Sequence, residues 1–212
     1  MRDWPVSHTH RWLLSPADVD EAMEHGLAAC WLEVSNAGGA VGFPFPPVSD
    51  DDVTAATERL VKGLDPEGTR VLVALDRDTL IGWLALELNR SRLTSHWARV
   101  FRVQTSLAHR SSGVGRALMQ EVARSARDDL RLEQLHLELR SGQGLEGFYE
   151  SCGWQEVGRH VIAVLPIADG DLAVGSRPLP QRGSPRTSPS TSAPRLVLER
   201  PAANLLVGAY RR

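Results

Sequence analysis

The sequence predicts an α/β fold in which a mixed sheet is flanked by helices. Residues 134–140 alternate strictly between leucine and polar side chains, and this alternation is typical of a strand with two unlike faces. Residues 114–129 instead carry apolar side chains at helical spacing, with polar side chains on the opposite side. Segments of these two kinds follow one another in the order β-α-α-β-β-β-α-β-α-β, which is the order of a mixed α/β sheet.

The N-terminal third of the chain is predicted to form one strand and two helices. Residues 9–14 form the strand. A capping box that starts at Ser15, with Pro16 in the first helical position, predicts a helix directly after it. Glycines and prolines in residues 36–47 predict a loop, and Ser49 is expected to cap the second helix.

The same patterns predict the elements of the middle of the chain. A tight turn separates the first two of these strands, and each helix carries one apolar stripe. The predicted strands cover residues 70–75, 79–88, 98–107, 134–140 and 156–165, and the predicted helices cover residues 114–129 and 144–152.

The C-terminal region differs in composition. Residues 176–195 hold five prolines, five serines, four arginines and no acidic residue, so we expect a disordered insertion. We therefore divide the chain into a domain over residues 1–175, this insertion, and residues 196–212, which hold a final strand and a tail. Two stretches compete for that strand: residues 195–200, which we favour, and residues 171–174.

Composition narrows the class of protein. At 212 residues the chain can form one domain with a full core, and its net charge of −2 argues against a nucleic-acid partner. Two cysteines do not make a disulfide framework, and the chain has no apolar leader or membrane-length run. We therefore expect a cytoplasmic protein without a membrane partner. The histidines and cysteines lack the spacing of metal ligands, so we predict no metal site.

A glycine-containing turn joins the strand that ends near Val103 to the helix that starts near Val114. Backbone N–H groups and the positive end of the helix dipole converge in front of Gly113, which predicts a site for a phosphate-type anion. A P-loop is excluded because Arg116 follows Gly115 where lysine is required. A dinucleotide-binding turn is excluded because it needs a third glycine where Leu118 stands.

This turn, Arg-x-x-Gly-x-Gly-x-x-Leu over residues 110–118, resembles the coenzyme A pyrophosphate loop of the GNAT superfamily of acyl-CoA N-acyltransferases. Residues 145–154, which include Phe-Tyr and Gly-Trp pairs, resemble the second cofactor helix of the same superfamily. Residues 34–43 and 140–145 are similar to the corresponding segments of tabtoxin resistance acetyltransferases. The resemblance covers about residues 9–165, and it departs from the superfamily pattern at four positions: Thr105, Leu107, Ser111 and Ser112.

The resemblance implies a central, mostly antiparallel sheet that is splayed at the fourth strand and flanked by about four helices. It also implies acetyl-CoA as cosubstrate and Tyr149 as the general acid that meets the departing thiolate. Backbone groups of the splayed strand and of the turn would hold the cosubstrate. These cofactor-binding residues are Val103, Gln104, Thr105, Arg110, Ser111, Ser112, Gly113, Val114, Gly115 and Arg116.

The general base and the acceptor contacts are less strongly specified. Glu87 and Glu138 both lie on strand faces that alternate with leucine, so either carboxylate could point into the substrate cleft. A relay through water, without a single essential base, stays open as well. Trp31 and Phe43 flank the glycine-rich loop, which by family analogy borders the acceptor site.

The function implied is acetyl-CoA-dependent N-acetylation of a primary amine on a small molecule. The tabtoxin-type similarity points to resistance against an antibiotic or toxin. Two alternatives remain: acetylation of a protein N-terminus or lysine, and a non-catalytic acyl-CoA-binding module. Dimers are frequent in this superfamily, so a homodimer is a further expectation.

Overall fold

The computed structural model describes residues 8–39, 41–43, 46–140, 144–162 and 203–211, which form a seven-stranded sheet with four helices. The strands are β1 (Thr9–Leu13), β2 (Thr69–Asp76), β3 (Thr79–Leu88), β4 (Trp97–Thr105), β5 (Gln134–Arg140), β6 (Gln155–Ile162) and β7 (Ala203–Arg211). The helices are α1 (Glu21–Asn36), α2 (Asp50–Lys62), α3 (Val114–Asp128) and α4 (Glu146–Ser151).

The sheet has the order β1-β2-β3-β4-β5-β7-β6, and only β4 and β5 run parallel. Their pairing starts at Trp97–Gln134 and extends over four residue pairs to Val100–Leu137. Beyond this short seam the two strands carry no pairing with each other within the described residues. The predicted mixed, mostly antiparallel sheet with a splay at the fourth strand is therefore confirmed.

Apolar residues on the two faces of the sheet build two cores. In β2, Val71 and Val73 point toward α1 and α2, whereas Leu72 and Ala74 point toward α3. All four side chains are fully buried, because helices cover both faces of this part of the sheet. Residues from elements on both faces line the gap between β4 and β5.

The start of the first helix differs from the prediction. The capping box at Ser15 is present, but it closes only a short 3-10 turn over Pro16–Asp18. Val19 then returns to extended backbone, and Asp20 caps α1 by accepting a 2.8 Å hydrogen bond from the Met23 N–H. A capping box satisfies the same backbone donors in a 3-10 turn as in an α-helix, so the sequence signal does not separate the two.

The final strand of the sheet is β7, and it lies between β5 and β6. Its register pairs Leu139 with Leu206 and Glu156 with Gly208. The two stretches that compete for this strand in the sequence, residues 171–174 and 195–200, lie outside the described residues, as does the proline-rich segment 176–195.

Candidate active site

The gap between β4 and β5 opens into a cavity of about 760 Å³. Residues from both strands line it, together with the end of α1, the turn before α3 and the first residues of α4. Because hydrogen bonding between β4 and β5 stops at Val100, the backbone edge of β4 from Phe101 to Thr105 faces this cavity without a strand partner. Such an edge offers N–H and C=O groups to a bound molecule.

A bulge in β4 shapes this edge. Trp83 of β3 pairs with Gln104 and Ala85 pairs with Phe101, so two β4 residues stand opposite one residue of β3. Arg102 lies within the bulge in the left-handed region, with φ of 54°. Bulges re-aim side chains and backbone groups, and here the re-aimed segment forms the wall of the cavity.

The turn before α3 presents a row of backbone donors. Ser111 and Gly113 both have positive φ, 62° and 92°, which turns successive N–H groups toward the same side. Among the described residues, no acceptor is found for the N–H groups of Ser111 or Gly113, or for the first three N–H groups of α3. Together with the helix dipole, these donors form the anion site that the sequence predicts.

Most of the predicted cofactor-binding residues line the cavity. Ser112 is the exception, because its hydroxyl turns back and donates a 2.5 Å hydrogen bond to the His109 carbonyl oxygen. The residues that do line it are Val103, Gln104, Thr105, Arg110, Ser111, Gly113, Val114, Gly115 and Arg116.

Two glycines in the turn serve different purposes. A Cβ at Gly113 would meet no atom within 4 Å, so the space in front of this residue is open. A Cβ at Gly115 would lie 3.3 Å from the Phe148 ring and 3.4 Å from the Thr105 hydroxyl. Gly113 therefore keeps room for a ligand at a backbone angle that suits glycine, whereas Gly115 allows α3 to pack closely against α4.

Arg116 joins the anion turn to the helix that carries Tyr149. Its guanidinium donates hydrogen bonds of 2.8 Å to the Ser151 carbonyl oxygen and 2.9 Å to the Ser151 hydroxyl. The exposed side chain is therefore held at the end of α4. Its predicted role as a cofactor contact is consistent with its place in the cavity wall, but its two resolved hydrogen bonds are structural.

We expect Arg116→Met to lower stability by about 1 kcal/mol, because two charge-assisted hydrogen bonds to Ser151 are lost. For a chain of this size the thermal midpoint should fall by about 2–4 °C. Thermal unfolding followed by circular dichroism measures this shift. Ser151→Ala removes the hydroxyl that accepts from Arg116 and that also donates a 2.7 Å hydrogen bond to the Phe148 carbonyl oxygen. The double variant Arg116→Met/Ser151→Ala should therefore lose less stability than the two single variants together, and strict additivity would contradict the assignment.

Tyr149 lies in the cavity wall on α4. Its ring makes edge contacts with Phe148 at 5.0 Å and Trp154 at 6.4 Å between centroids. Burial, with a smaller contribution from Cys152, raises the pKa of the Tyr149 hydroxyl to about 12. The phenol therefore keeps its proton at neutral pH, so the cavity wall holds a proton donor for a leaving group bound close to it.

The two candidate bases occupy different places. Glu87 forms an ion pair with Arg99, with 2.6 Å between the Arg99 Nη2 and Glu87 Oε2 atoms, and it does not line the cavity. Glu138 lies in β5 directly after the last residue paired with β4, and it lines the cavity. Only Glu138 of the two is therefore positioned to receive a proton in the gap.

The two aromatic residues predicted to contact the acceptor belong to the core. Trp31 is fully buried, and its indole N–H donates a 2.7 Å hydrogen bond to the Val41 carbonyl oxygen. Phe43 packs on it with 5.2 Å between ring centroids, and neither residue lines the cavity. Large rings commonly pack into the core, and the contact of these two residues with the acceptor stays a prediction.

Arg102 and His109 line the cavity but were not singled out as site residues in the sequence. The His109 Nδ1 atom lies 2.7 Å from the Ser106 hydroxyl oxygen, which fixes the ring beside the anion turn. Its place one residue before Arg110 could have drawn attention to it. No sequence signal indicates Arg102, because its direction depends on the bulge.

Two classes of feature are not found in the part of the chain that the structure describes. None of its helices has both the length and the apolar character needed to cross a bilayer. Likewise, no group of three or more His, Cys, Asp or Glu side chains there is arranged to hold a metal ion.

The splayed mixed sheet, the bulged strand and the anion turn together define the GNAT fold. Residues 67–156, which are less than half of the chain, match the family model described as "Acetyltransferase (GNAT) domain". The matched region runs from β2 to the start of β6 and includes the anion turn and Tyr149. No curated protein sequence matches the chain.

Solved structures with the same fold cover nearly the whole chain at low identity. A GCN5-related N-acetyltransferase from Kribbella flavida is 18% identical with a TM-score of 0.64, and 99% of this chain and 100% of that chain are covered. A ribosomal-protein-alanine N-acetyltransferase from Brucella melitensis is 16% identical with a TM-score of 0.60, at 96% and 99% coverage. A candidate phosphinothricin N-acetyltransferase is 17% identical with a TM-score of 0.62, at 97% and 98% coverage.

Proposed function

We propose that the protein is an acetyl-CoA-dependent N-acetyltransferase that acts on a primary amine of a small molecule. The observation that carries this proposal is one cavity whose wall contains an anion turn, an unpaired strand edge, a tyrosine and a carboxylate. The match of residues 67–156 to the GNAT acetyltransferase domain supports acetyl-CoA as the cosubstrate.

The residues present fit this cosubstrate. The unpaired N–H groups of Ser111 and of residues 113–116, with the open space at Gly113, suit a diphosphate, which is an acceptor of several hydrogen bonds. The free edge of β4 can hydrogen-bond the amide groups of an extended pantetheine arm, as an added strand would. The arm would thus run along the gap from the anion turn toward the β4 bulge.

Acyl transfer forms a bond between the acceptor nitrogen and the acetyl carbon and breaks the bond between that carbon and sulfur. Acetyl-CoA supplies the acetyl group in an activated thioester. A backbone N–H at the β4 bulge polarises the carbonyl oxygen, and Glu138 takes the proton that the attacking amine loses. Tyr149 gives its proton to the sulfur, which leaves as the thiol, and the proton taken up by Glu138 then passes through solvent to the Tyr149 oxygen, so that both groups return to their starting state.

The size of the cavity favours a small acceptor. At about 760 Å³ it lies within the range of small-molecule sites, and it must hold part of the cosubstrate as well. The similarity of residues 34–43 to tabtoxin resistance acetyltransferases puts amine antibiotics and toxins first among the acceptors to test. Acetylation of a protein N-terminus is a second candidate, favoured by the likeness in fold to a ribosomal-protein-alanine N-acetyltransferase.

Glu138→Gln should lower kcat by about 100-fold or more, because the amide cannot accept the amine proton. Glu87→Gln is the matched variant, since Glu87 pairs with Arg99 outside the cavity wall, and its kcat should stay within about twofold of the wild type. Steady-state thiol release measures both variants. The reverse order of effects would assign the base to Glu87, and two unaffected variants would favour a water relay.

Calorimetry with acetyl-CoA tests the first half of the proposal, and a thiol-release screen over small amines, peptides with free N-termini and lysine peptides tests the second. Binding with turnover of small amines supports the proposed function. Turnover of peptides alone would assign the protein to the second candidate function. Binding without any turnover would indicate an acyl-CoA-binding module, and absence of binding would reject the proposal.

A further inference from the structure

Arg102 is a cation in the cavity wall that has no acidic partner in the described part of the chain. Its half-buried guanidinium stacks over the Trp31 ring at 4.4 Å and lies near the Phe101 ring at 5.3 Å. It packs beside Gly42, where an added Cβ would be 3.3 Å from its Nε atom. Among the described residues it makes no ion pair, whereas Arg99, three positions earlier in β4, is paired with Glu87.

The charges near Arg102 do not compensate it. Burial, followed by the positive charges of Arg99 and Arg59, lowers the pKa of the Arg102 guanidinium below its ordinary value. Stacking on Trp31 offsets part of the cost of taking this charge from water, and no hydrogen bond joins the guanidinium to another of the described residues. The residue also holds a left-handed φ of 54°, which costs free energy for any side chain other than glycine.

Two unfavourable features at one position in the wall of a binding cavity indicate a ligand that offsets them. The missing element is an anion, and the planar guanidinium fork suits the two oxygens of a carboxylate or phosphonate. This anion differs from the diphosphate of the cosubstrate. Trp31 belongs to the core on the α1 and α2 face of the sheet, whereas the anion turn leads into α3 on the opposite face.

We infer that Arg102 is the acceptor-specificity residue, and that the acceptor amine carries a carboxylate or phosphonate which Arg102 binds. This inference rests on the proposed N-acetyltransferase function and names its substrate class. The acceptors would be amino acids and aminophosphonic acids rather than simple amines or polyamines. A polyamine would bring further positive charge toward Arg102 and Arg59 and would bind poorly there.

Matched pairs of acceptors test the inference with the full-length protein. Each free amino acid is compared with its amide, and each aminoalkylphosphonate with the corresponding alkylamine, at saturating acetyl-CoA. The members of a pair share the reacting amine and differ in the anion. Initial rates of thiol release are measured together with binding to the CoA complex, followed by the shift in thermal midpoint. The acid arm and the phosphonate arm also show which of the two anions is preferred.

We expect the anionic member of the best pair to exceed its neutral partner by at least about thirtyfold in kcat/KM, the scale of losing one partner of a desolvated charge pair. Arg102→Gln should reduce the ratio of the two kcat/KM values to about one. Arg102→Lys should restore part of it, because the charge remains and the fork is lost. Arg99→Gln is the matched control, since Arg99 does not line the cavity, and it should keep the preference.

Several results would overturn the inference. The first is that neutral members equal or exceed their anionic partners in rate and binding. The second is that Arg102→Gln slows both members of a pair equally and lowers the thermal midpoint, as expected if Arg102 has only a structural role. If no acceptor is turned over, the binding arm decides, and equal binding of both pair members rejects the inference. Failure of the proposed function is recognised separately, because calorimetry would then show no binding of acetyl-CoA.

Discussion

Gly113→Val is expected to weaken acetyl-CoA binding at least about a hundredfold, or about 2.8 kcal/mol. Gly113 has a φ of 92°, where a β-branched residue is strained, and its Cβ would occupy the open space toward which the free N–H groups of the turn point. Both effects act on the anion site: the added side chain blocks the diphosphate, and relaxation of the backbone turns the donors away from it. Isothermal titration with acetyl-CoA measures the loss.

The stability of the variant separates a blocked site from a damaged fold. Since no described atom other than the chain neighbours lies within 4 Å of the new Cβ, we expect backbone strain of about 1–2 kcal/mol to be the main cost to folding. Gly113→Ala carries similar strain with less bulk and should lose less affinity than the valine variant. If Gly113→Val binds acetyl-CoA with wild-type affinity while it remains folded, the diphosphate does not lie at this turn.

Tyr149→Phe is expected to lower kcat by about 100- to 10,000-fold while the affinity for acetyl-CoA stays within about twofold. The phenylalanine ring keeps the packing against Phe148 and Trp154, so the variant loses only the proton donor. Without the hydroxyl, the sulfur must leave as a bare thiolate. Rates of thiol release, measured beside calorimetric binding, distinguish this result from damage to the site.

The raised pKa of Tyr149 predicts a pH dependence of stability that can be measured. Because burial raises it from 10.0 to about 12, the phenol stays protonated in the folded protein well above neutral pH. Its contribution to stability is complete below pH 10 and is lost as the pH rises toward 12, since the unfolded chain releases this proton first. Tyr149→Phe should therefore weaken the alkaline decline in stability. A kcat for Tyr149→Phe equal to that of the wild type at every pH would remove Tyr149 from the mechanism.

Much of the fold could be predicted because its signals are local. Strict alternation over residues 134–140 gave the bounds of β5 as the structure has them, and the apolar stripe of α3 was located to within one residue at its end. The start of α1 could not be predicted from the sequence, because a capping box such as that at Ser15 stabilises a 3-10 turn as well as an α-helix. The conformation of the chain after Val19 depends on how it packs onto the sheet rather than on its own propensity.

The candidate site divides in the same way. The anion turn was predictable because backbone groups form it, and glycine positions report backbone angles directly. The choice between Glu87 and Glu138 could not be predicted, because both residues alternate with leucine. Glu87 forms an ion pair with Arg99 of the neighbouring strand, whereas Glu138 lies where the pairing between β4 and β5 has ended and the gap opens. The role of Arg102 could not be predicted for a related reason, because one extra residue in β4 decides where its side chain points.

The seam between β4 and β5 couples the two halves of the sheet through only four residue pairs, with Ala98 and Leu135 fully or almost fully buried within it. The angle between the halves, and with it the aperture for incoming molecules, is therefore controlled by the side-chain volumes of a few residues, of which Ala98 and Leu135 do not line the cavity. The width of the opening and the chemistry can thus vary separately. A methylene gained or lost in this seam would change which acceptors can enter, while every proton-transferring group stays in place.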